Sequence, residues 1–520
     1  MSVHRPIRNL IQSCMTQDLP VTEKSEFVNL LSTIVALLER DPSFAGFFFE
    51  SVSTPESNNV SVFLIIPALI QRFADEGVAG DKSRDTVLHL ITLADKSTEV
   101  ASYIVKHSQL VDSIVSQLVS HYKQLPPIGN QGFLHASPQF QKYKAWLQFL
   151  NQMIKKTRNT ITEQIVQKVD EDFLTSVIGP SLLQPDETGA MSATIYFRET
   201  LRIIDQEHDN NGIFLNLLIL FILGDFEAPE SEEDESEHML RATLLHRINS
   251  SHEQLSYWTL KLFESLIGLN NQHVMYNLIL RSLIPRFHEL PTAHSPEANL
   301  DNIQPSLAAL LTLVLESDLG SSSSSYQAYL ADVQQQIRTC KDECLKWQQN
   351  SKLLLSDKIP KYDIIHFTNP GILSSDEACV EKFYGGGLFL TMLLDKLETL
   401  LNQTLDTNLV LTGMFSRLAQ YPFPLLYLFL LQKNLPLRSN IRSLWTVLGK
   451  LSQQIVQQAS AMPNFGQQLI AARHRLAEQA TQTLADPREE QIQRFMFGVI
   501  VIEEFCKELA AVLASWASAE

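Results

Sequence analysis

Residues 250–285 read SSHEQLSYWTLKLFESLIGLNNQHVMYNLILRSLIP, and their spacing decides the fold class. Apolar side chains recur at Leu255, Trp258, Leu262, Leu266 and Leu269, steps of three and four that place them on one face of a helix. Ser250 and Glu253 fit a capping box, in which the hydroxyl and the carboxylate satisfy backbone donors orphaned at the helix start. Asn270-Asn271 breaks the pattern. A second stripe, Val274, Met275, Leu278, Ile279 and Leu283, then runs to Pro285, which interferes with further helix. Two stripes with a short polar break make a helical hairpin.

Outward from this unit the same theme recurs. Leu390, Leu393, Leu394, Leu397 and Leu401 form one stripe, and Ile441, Leu444, Trp445, Leu448, Leu451 and Ile455 form another. A last long helix carries Phe495, Val499, Ile502, Phe505, Leu509, Val512 and Trp516. Tyr421-Pro422-Phe423-Pro424 reads as a sharp corner, with Pro424 in the first turn of the helix that follows. The apolar stretch Ile213 to Leu223 is far short of the ~20 residues that span a membrane, so it reads as a buried core helix. So many helices cannot share one compact core, and stacked hairpins solve the problem. The expectation is an all-α chain, an irregular α-solenoid of HEAT- and armadillo-like hairpins with almost no strand.

Composition agrees with that class. The chain has 520 residues, of which 45% are hydrophobic and 19% charged, so it can bury a core along its whole length. Only 19 glycines and 22 prolines are present, too few for the turns of many short strands. A net charge of −17 with no basic stripe argues against nucleic-acid binding. Five scattered cysteines (Cys14, Cys340, Cys344, Cys379, Cys506) suggest no disulfide framework and point to the reducing cytosol. The first twenty residues contain no apolar run of the kind that makes a secretory signal.

Three stretches read as loops or linkers. Asp225 to His238 holds eight acidic residues and is expected to stay solvated and mobile. Leu290 to Pro305 contains three prolines. Gly320 and the serines Ser321 to Ser325 are low in complexity, with helical composition resuming through Trp347. The expected organisation is an N-terminal solenoid part over 1–315, a linker over 316–376 and a C-terminal helical part over 377–520.

No catalytic signature emerges. Gly449-Lys450 lies in a helical stripe and is followed by Leu451, so it is not a phosphate loop. His252-Glu253 and His288-Glu289 begin like a zinc-protease motif, but Ser256 and Thr292 stand where the second histidine would be. Cys340 and Cys344, one turn apart, have no second ligand pair and read as structural thiols. Gly385-Gly386-Gly387 follows no strand and reads as a hinge rather than a dinucleotide fingerprint. No catalytic, cofactor or metal residue is expected, and the chain reads as a non-enzymatic interaction protein.

Several longer blocks name a family. They are ATIYFRETLRIIDQEHDNNGIFLNLLILFILGD (193–225), residues 244–286, LDKLETLLN (394–402), NLVLTGMFSRLAQYPFP (408–424) and residues 439–448. The opening Val3-His4-Arg5-Pro6-Ile7, with Leu10-Ile11 and Cys14, belongs with them. In this order they resemble the Hook-interacting proteins of the FTS–Hook–FHIP complex, formerly grouped as the RAI-like family. The resemblance implies a cytosolic helical adaptor that joins Hook proteins and the ubiquitin-conjugating-like FTS to Rab-marked endosomal or secretory membranes. Through Hook it implies an indirect link to dynein and dynactin, and so to microtubule-based vesicle transport. In typical members the His-Arg-Pro block follows a helical N-terminal region, whereas here it begins at residue 3. Either this is a short member or the chain lacks its first segment, and with it any Hook or FTS contact that the region makes; the long tail of many relatives is missing too. A generic HEAT-like scaffold in another trafficking or signalling assembly is the alternative.

A Rab switch surface would ask for exposed aromatic or aliphatic groups beside arginines. Tyr421 and Phe423 at the corner, with Arg438 and Arg442 one turn apart, supply that combination. The blander reading is that the aromatics close the hairpin and the arginines form an ordinary solvated face.

Overall fold

The computed structural model of the chain describes residues 4–54, 57–75, 77–128, 134–156, 160–206, 212–224, 238–280, 323–350, 387–431, 442–478 and 486–517. Ser282, Ser306, residues 308–310 and Lys433 are described besides. The acidic stretch 225–237, the linker 351–386 and Arg438 lie outside the described residues. The chain forms two compact units, Met1–Phe221 and Ile222–Glu520.

The first unit contains α1 (His4–Thr16), α2 (Val21–Arg40), α3 (Ile65–Phe73), α4 (Val78–Lys96), α5 (Thr98–His107), α6 (Leu110–Lys123) and α7 (Pro138–Lys156). After these come α8 (Thr160–Lys168), a wider π turn (Val169–Ile178), α9 (Gly179–Leu183) and α10 (Glu187–Asp205), with α11 (Ile213–Leu223) spanning the division. Helices pack on near neighbours in the chain, α2 on α4, α6 on α7 and α7 on α10, as hairpins of a helical array do. Helix α7 shows why. Phe140, Tyr143, Leu147, Leu150 and Ile154 repeat at three or four residues and are all buried. The Tyr143 hydroxyl lies 2.8 Å from Thr200 Oγ1 on α10, and Thr200 itself donates to the Tyr196 carbonyl at 2.8 Å. Tyr143 is therefore the donor of the pair. Trp146 Nε1 donates to the Ile114 carbonyl on α6 at 3.0 Å. Helix α11 is buried as its composition implies, with Phe214, Leu218, Ile219, Ile222 and Leu223 fully or almost fully covered. No helix among the described residues is long and apolar enough to cross a membrane.

Strand is nearly absent among the described residues, as expected, and is confined to one hairpin. Strands β1 (Phe49–Thr54) and β2 (Ser57–Phe63) form an antiparallel hairpin in which Phe49 faces Phe63 and Val52 faces Val60. Its alternating run, Asn59-Val60-Ser61-Val62-Phe63, is too short to stand out against the helical stripes around it.

The second unit contains α12 (Met239–Arg247), α13 (Glu253–Gly268), α14 (Gln272–Met275, continued as a π turn through Leu280) and α15 (Ser323–Asn350). Then follow α16 (Gly387–Glu398), α17 (Leu405–Ala419), α18 (Pro424–Leu431), α19 (Leu444–Ala461), α20 (Phe465–Ala477) and α21 (Pro487–Ala517). The division thus falls at Phe221/Ile222 and not in the expected linker over 316–376. The reason is packing: α12 lies against α16, and α13 against α17, so residues 239–280 share a core with the C-terminal helices. The serine run is also corrected in part, since α15 begins at Ser323. Serine suits a first helical turn, where a hydroxyl can accept from an orphaned N–H.

Caps fix where these helices begin. Ser443 and Thr446 form a reciprocal capping box at α19, with Thr446 N donating to Ser443 Oγ at 3.2 Å and Ser443 N to Thr446 Oγ1 at 3.0 Å. At α13 the expected box is replaced. His252 Nδ1 accepts from Leu255 N at 3.1 Å, and Ser250 Oγ accepts from His252 N at 3.2 Å. Glu253 is thereby released for another partner. The corner at Pro424 stands as expected, with α18 starting on that proline.

Substituting Tyr143→Phe removes one neutral hydrogen bond and should lower stability by about 1 kcal/mol. Tyr143→Ala also leaves a cavity and should cost about 3–5 kcal/mol. Denaturant melts of the two variants compare these directly, and equal losses would mean that the ring is not part of the core.

Candidate partner-binding surface

Two of the expected contact residues are core. Tyr421 is fully buried, and its hydroxyl lies 2.8 Å from both the Ile267 carbonyl and Asn270 Oδ1. Phe423 is also buried and stacks on Tyr421 at 5.8 Å between ring centroids, while Trp347 stacks on Phe423 at 5.8 Å. These aromatics close the corner, as the blander reading had it, and they offer no exposed apolar surface.

The reason for the burial is Asn270. It ends α13 in the left-handed conformation (φ 50°), which asparagine tolerates better than other residues with a Cβ. Its side-chain oxygen accepts from Arg417 Nη2 at 2.8 Å as well as facing Tyr421, and the Cys340 thiol approaches it at 3.9 Å. Its main-chain carbonyl accepts from Trp347 Nε1 at 2.7 Å. Asn271, the next residue, caps α14 by accepting from His273 N at 2.9 Å. The break read from Asn270-Asn271 is therefore a hub joining α13, α15, α17 and the corner. Burial pushes the Tyr421 hydroxyl and the Cys344 thiol well above their ordinary values and raises the Cys340 thiol too, so neither thiol is poised as a nucleophile.

Arg442 has internal duties. It pairs with Asp395 and with Glu398, the latter at 3.1 Å, and Lys450 Nζ reaches the other Glu398 oxygen at 2.6 Å. These contacts hold the entrance of α19 to the exposed side of α16. The hydrogen bond from Lys450, joined by Arg442, keeps the Glu398 carboxyl below its ordinary range. Arg438 is outside the described residues, so the four expected residues are not brought together as one open surface.

A second polar cluster was not legible in the sequence. Arg494 on α21 clasps Glu253 at the start of α13, with Nη1 to Oε1 at 2.5 Å and Nη2 to Oε2 at 3.2 Å. It also reaches Glu490 at 2.7 Å and the Asn402 carbonyl at 3.2 Å. The hydrogen bond from Arg494 depresses the Glu253 carboxyl. No spacing rule connects residues 253 and 494. Further along α21, Ala510 and Ala511 are fully buried, and Gly498 faces Leu401, whose Cα would stand 3.1 Å from an added Cβ. Small residues let this long helix approach its neighbours closely. Buried Glu503 pairs with Arg473 at 2.5 Å and with Lys507 at 2.9 Å.

Among the described residues no group of His, Cys, Asp and Glu could hold a metal ion. What the second unit does present is an open recess of about 280 Å3 between α20 and α21. The sequence reading passed over α20, because its apolar residues make no full stripe.

Two stability tests follow from these clusters. Asn270→Ala removes the acceptor that Tyr421 and Arg417 share and strains a positive φ; a loss of about 2–4 kcal/mol is expected. Asn270→Gly keeps the backbone comfortable and should lose less, so equal losses in the two melts would refute a backbone contribution. The second test is pH. Depressed carboxyls stabilise the fold above their ordinary value of 4.5, and that stability is lost as pH falls through their lower folded values. Burial raises Glu508, which acts in the opposite sense: its contribution is present below 4.5 and lost as pH rises through the folded value. Glu253→Gln should therefore flatten the acid limb of a stability–pH curve, and Glu508→Gln should raise stability near neutrality.

Comparison with known proteins places the chain. A family model described as retinoic acid induced 16-like protein matches residues 1–283. A family of unknown function matches residues 386–479, and the KELAA motif matches residues 490–513, where Lys507-Glu508-Leu509-Ala510-Ala511 spells it out. An FHIP family protein of Nematostella vectensis is 23% identical over 91% of this chain and 64% of its own length. An FHIP family protein of Anopheles gambiae is 23% identical over 87% of this chain and 57% of its own. FHF complex subunit HOOK-interacting protein 1B of Rattus norvegicus is 25% identical over 84% of this chain and 58% of its own. The chain spans less than two thirds of the length of each of these relatives. With the first model covering more than half of its residues, the chain belongs to the retinoic acid induced 16-like family.

Proposed function

We propose that this chain is a non-enzymatic adaptor that engages Hook proteins within an assembly of the FTS–Hook–FHIP kind. The observation that carries this reading is the alignment, over 84% of the chain, with a rat protein named as a HOOK-interacting subunit of the FHF complex. A largely helical body that spends its polar groups on packing suits a protein whose work is done by broad faces. The suppressed thiols of α15 agree with it. In its finer form the proposal has the adaptor cytoplasmic, bound to FTS and to a GTP-loaded Rab, and recruited through them to endosomal or secretory vesicles. Dynein and dynactin would then be reached indirectly, through Hook.

Purified full chain mixed with the C-terminal region of a Hook protein, with and without FTS, tests the central step. Co-elution on gel filtration and saturable binding by calorimetry are expected; no binding in either mixture would favour a HEAT-like scaffold of another assembly. For the Rab contact the variant to use is Arg438→Glu, since Arg442 is held by Asp395 and Glu398. A loss of at least about tenfold in affinity for GTP-loaded Rab is expected if Arg438 faces the Rab. Unchanged affinity would place that contact elsewhere.

A further inference from the structure

The first unit gathers basic side chains around one buried indole. The Arg84 guanidinium on α4 lies over the Trp146 ring, 5.5 Å from its centroid, and the His121 ring on α6 lies 5.5 Å from the same indole. Lys142 precedes Trp146 by one turn on the same side of α7, and it is exposed. Trp146 is itself buried and donates its Nε1 to the Ile114 carbonyl, so the ring is a fixed base for the groups around it. Three helices thus bring three basic side chains to one patch, on a chain whose net charge is −17.

Counter-charge is short at this patch. Asp81 pairs with Arg84, whose Nη1 also donates to the Phe73 carbonyl at 2.7 Å. His121 is half-buried, and its ring nitrogens make no hydrogen bond with another described residue. Burial holds its imidazole below the ordinary value, and Lys142 from α7 and Arg84 from α4 add to the effect. No carboxylate among the described residues acts on His121 in the opposite sense. A neutral imidazole between two cations is thus left with hydrogen-bonding capacity and a surplus of positive charge beside it. A phosphate monoester answers both, since it brings a charge of about −1.5 to −2 and three acceptor oxygens. A carboxylate brings one charge, and an apolar segment would leave the cations desolvated and unanswered. With the anion in place the sign at His121 reverses, and its charged form becomes the favoured one.

We propose that Arg84, His121 and Lys142 form a binding site for a phosphate group, with His121 taking up a proton as the anion binds. This goes beyond the adaptor reading and does not depend on it. Calorimetric titration of the purified full chain with inositol hexakisphosphate is the test, and saturable binding is expected. Lys142→Glu should weaken it by at least about tenfold. Where that variant lowers the melting temperature, Lys142→Gln takes its place and should weaken binding in the same direction. The parent should bind more tightly near pH ~5.5 than near pH ~7.5, and His121→Gln should lose most of that difference. Because the probe titrates in the same range, only the difference between parent and His121→Gln is read. Vesicles carrying phosphatidylinositol phosphates, set against vesicles of phosphatidylcholine alone, identify the source of the phosphate. Vesicle binding that is lost in the Lys142 variant assigns the site a lipid headgroup, and binding of the soluble probe alone assigns it a free phosphate. Absence of saturable binding overturns the proposal, as does an affinity that neither substitution changes.

Discussion

Asn270 is the constraint on which the second unit depends. One residue must leave α13 in a left-handed turn and also satisfy donors arriving from three other parts of the chain. The backbone demand could be met by glycine, and the donor demand by any carboxamide in reach. Only a short amide with tolerance for positive φ meets both. The donors come from Arg417, Tyr421 and Trp347, so the hydrogen bonds close loops of 147, 151 and 77 residues. Each loop closure is entropically costly, and a single acceptor site concentrates the return in one place. Because Tyr421 and Trp347 are buried, any of these donors left unmatched would cost about 1–3 kcal/mol rather than return to water.

That arrangement explains how the sequence could be read correctly for class and incorrectly for surface. Helical stripes are local, so Leu255 to Leu269 and Leu390 to Leu401 declare themselves by spacing alone. Pro424 and Asn270-Asn271 mark ends for equally local reasons. The partners of those ends are not local. Tyr421 and Phe423 looked like exposed aromatics because nothing near them in sequence reveals that Trp347 stacks on one and Ile267 accepts from the other. Arg442 likewise looked free, and only the packing of α19 on α16 brings it to Asp395 and Glu398. The cap at α13 failed for a subtler reason. Ser250 and Glu253 satisfied the pattern, but Arg494, from the far end of the chain, is a stronger partner for a carboxylate than a backbone N–H.

Helix α21 carries the complementary half of the design. It packs against α15, α17 and the turn after α16, and it can do so because Gly498, Ala510 and Ala511 keep its inner side thin. The charges along it are placed by burial: Arg494 at the exposed end clasps two carboxylates, while Glu503 in the interior has cations on either side. A buried carboxylate with one partner removed is expensive, so Arg473 and Lys507 act as a set rather than as separate bonds. This gives the KELAA stretch a physical meaning. Its lysine neutralises Glu503, and its leucine and alanines form the close contact.

The division of labour among charges is the last step. Ion pairs inside a helical scaffold have two uses, fixing one helix against another or meeting a partner, and the two are told apart by whether the chain already supplies the counter-charge. Arg442, Lys450, Arg473, Arg494 and Lys507 all have theirs within the second unit. Reversing any of them would first disturb packing, so a lost interaction in such a variant would not identify an interface. Arg475 and Glu489, exposed where α20 and α21 meet, have no such counter-charge among the described residues, so a variant at either reads surface electrostatics rather than packing.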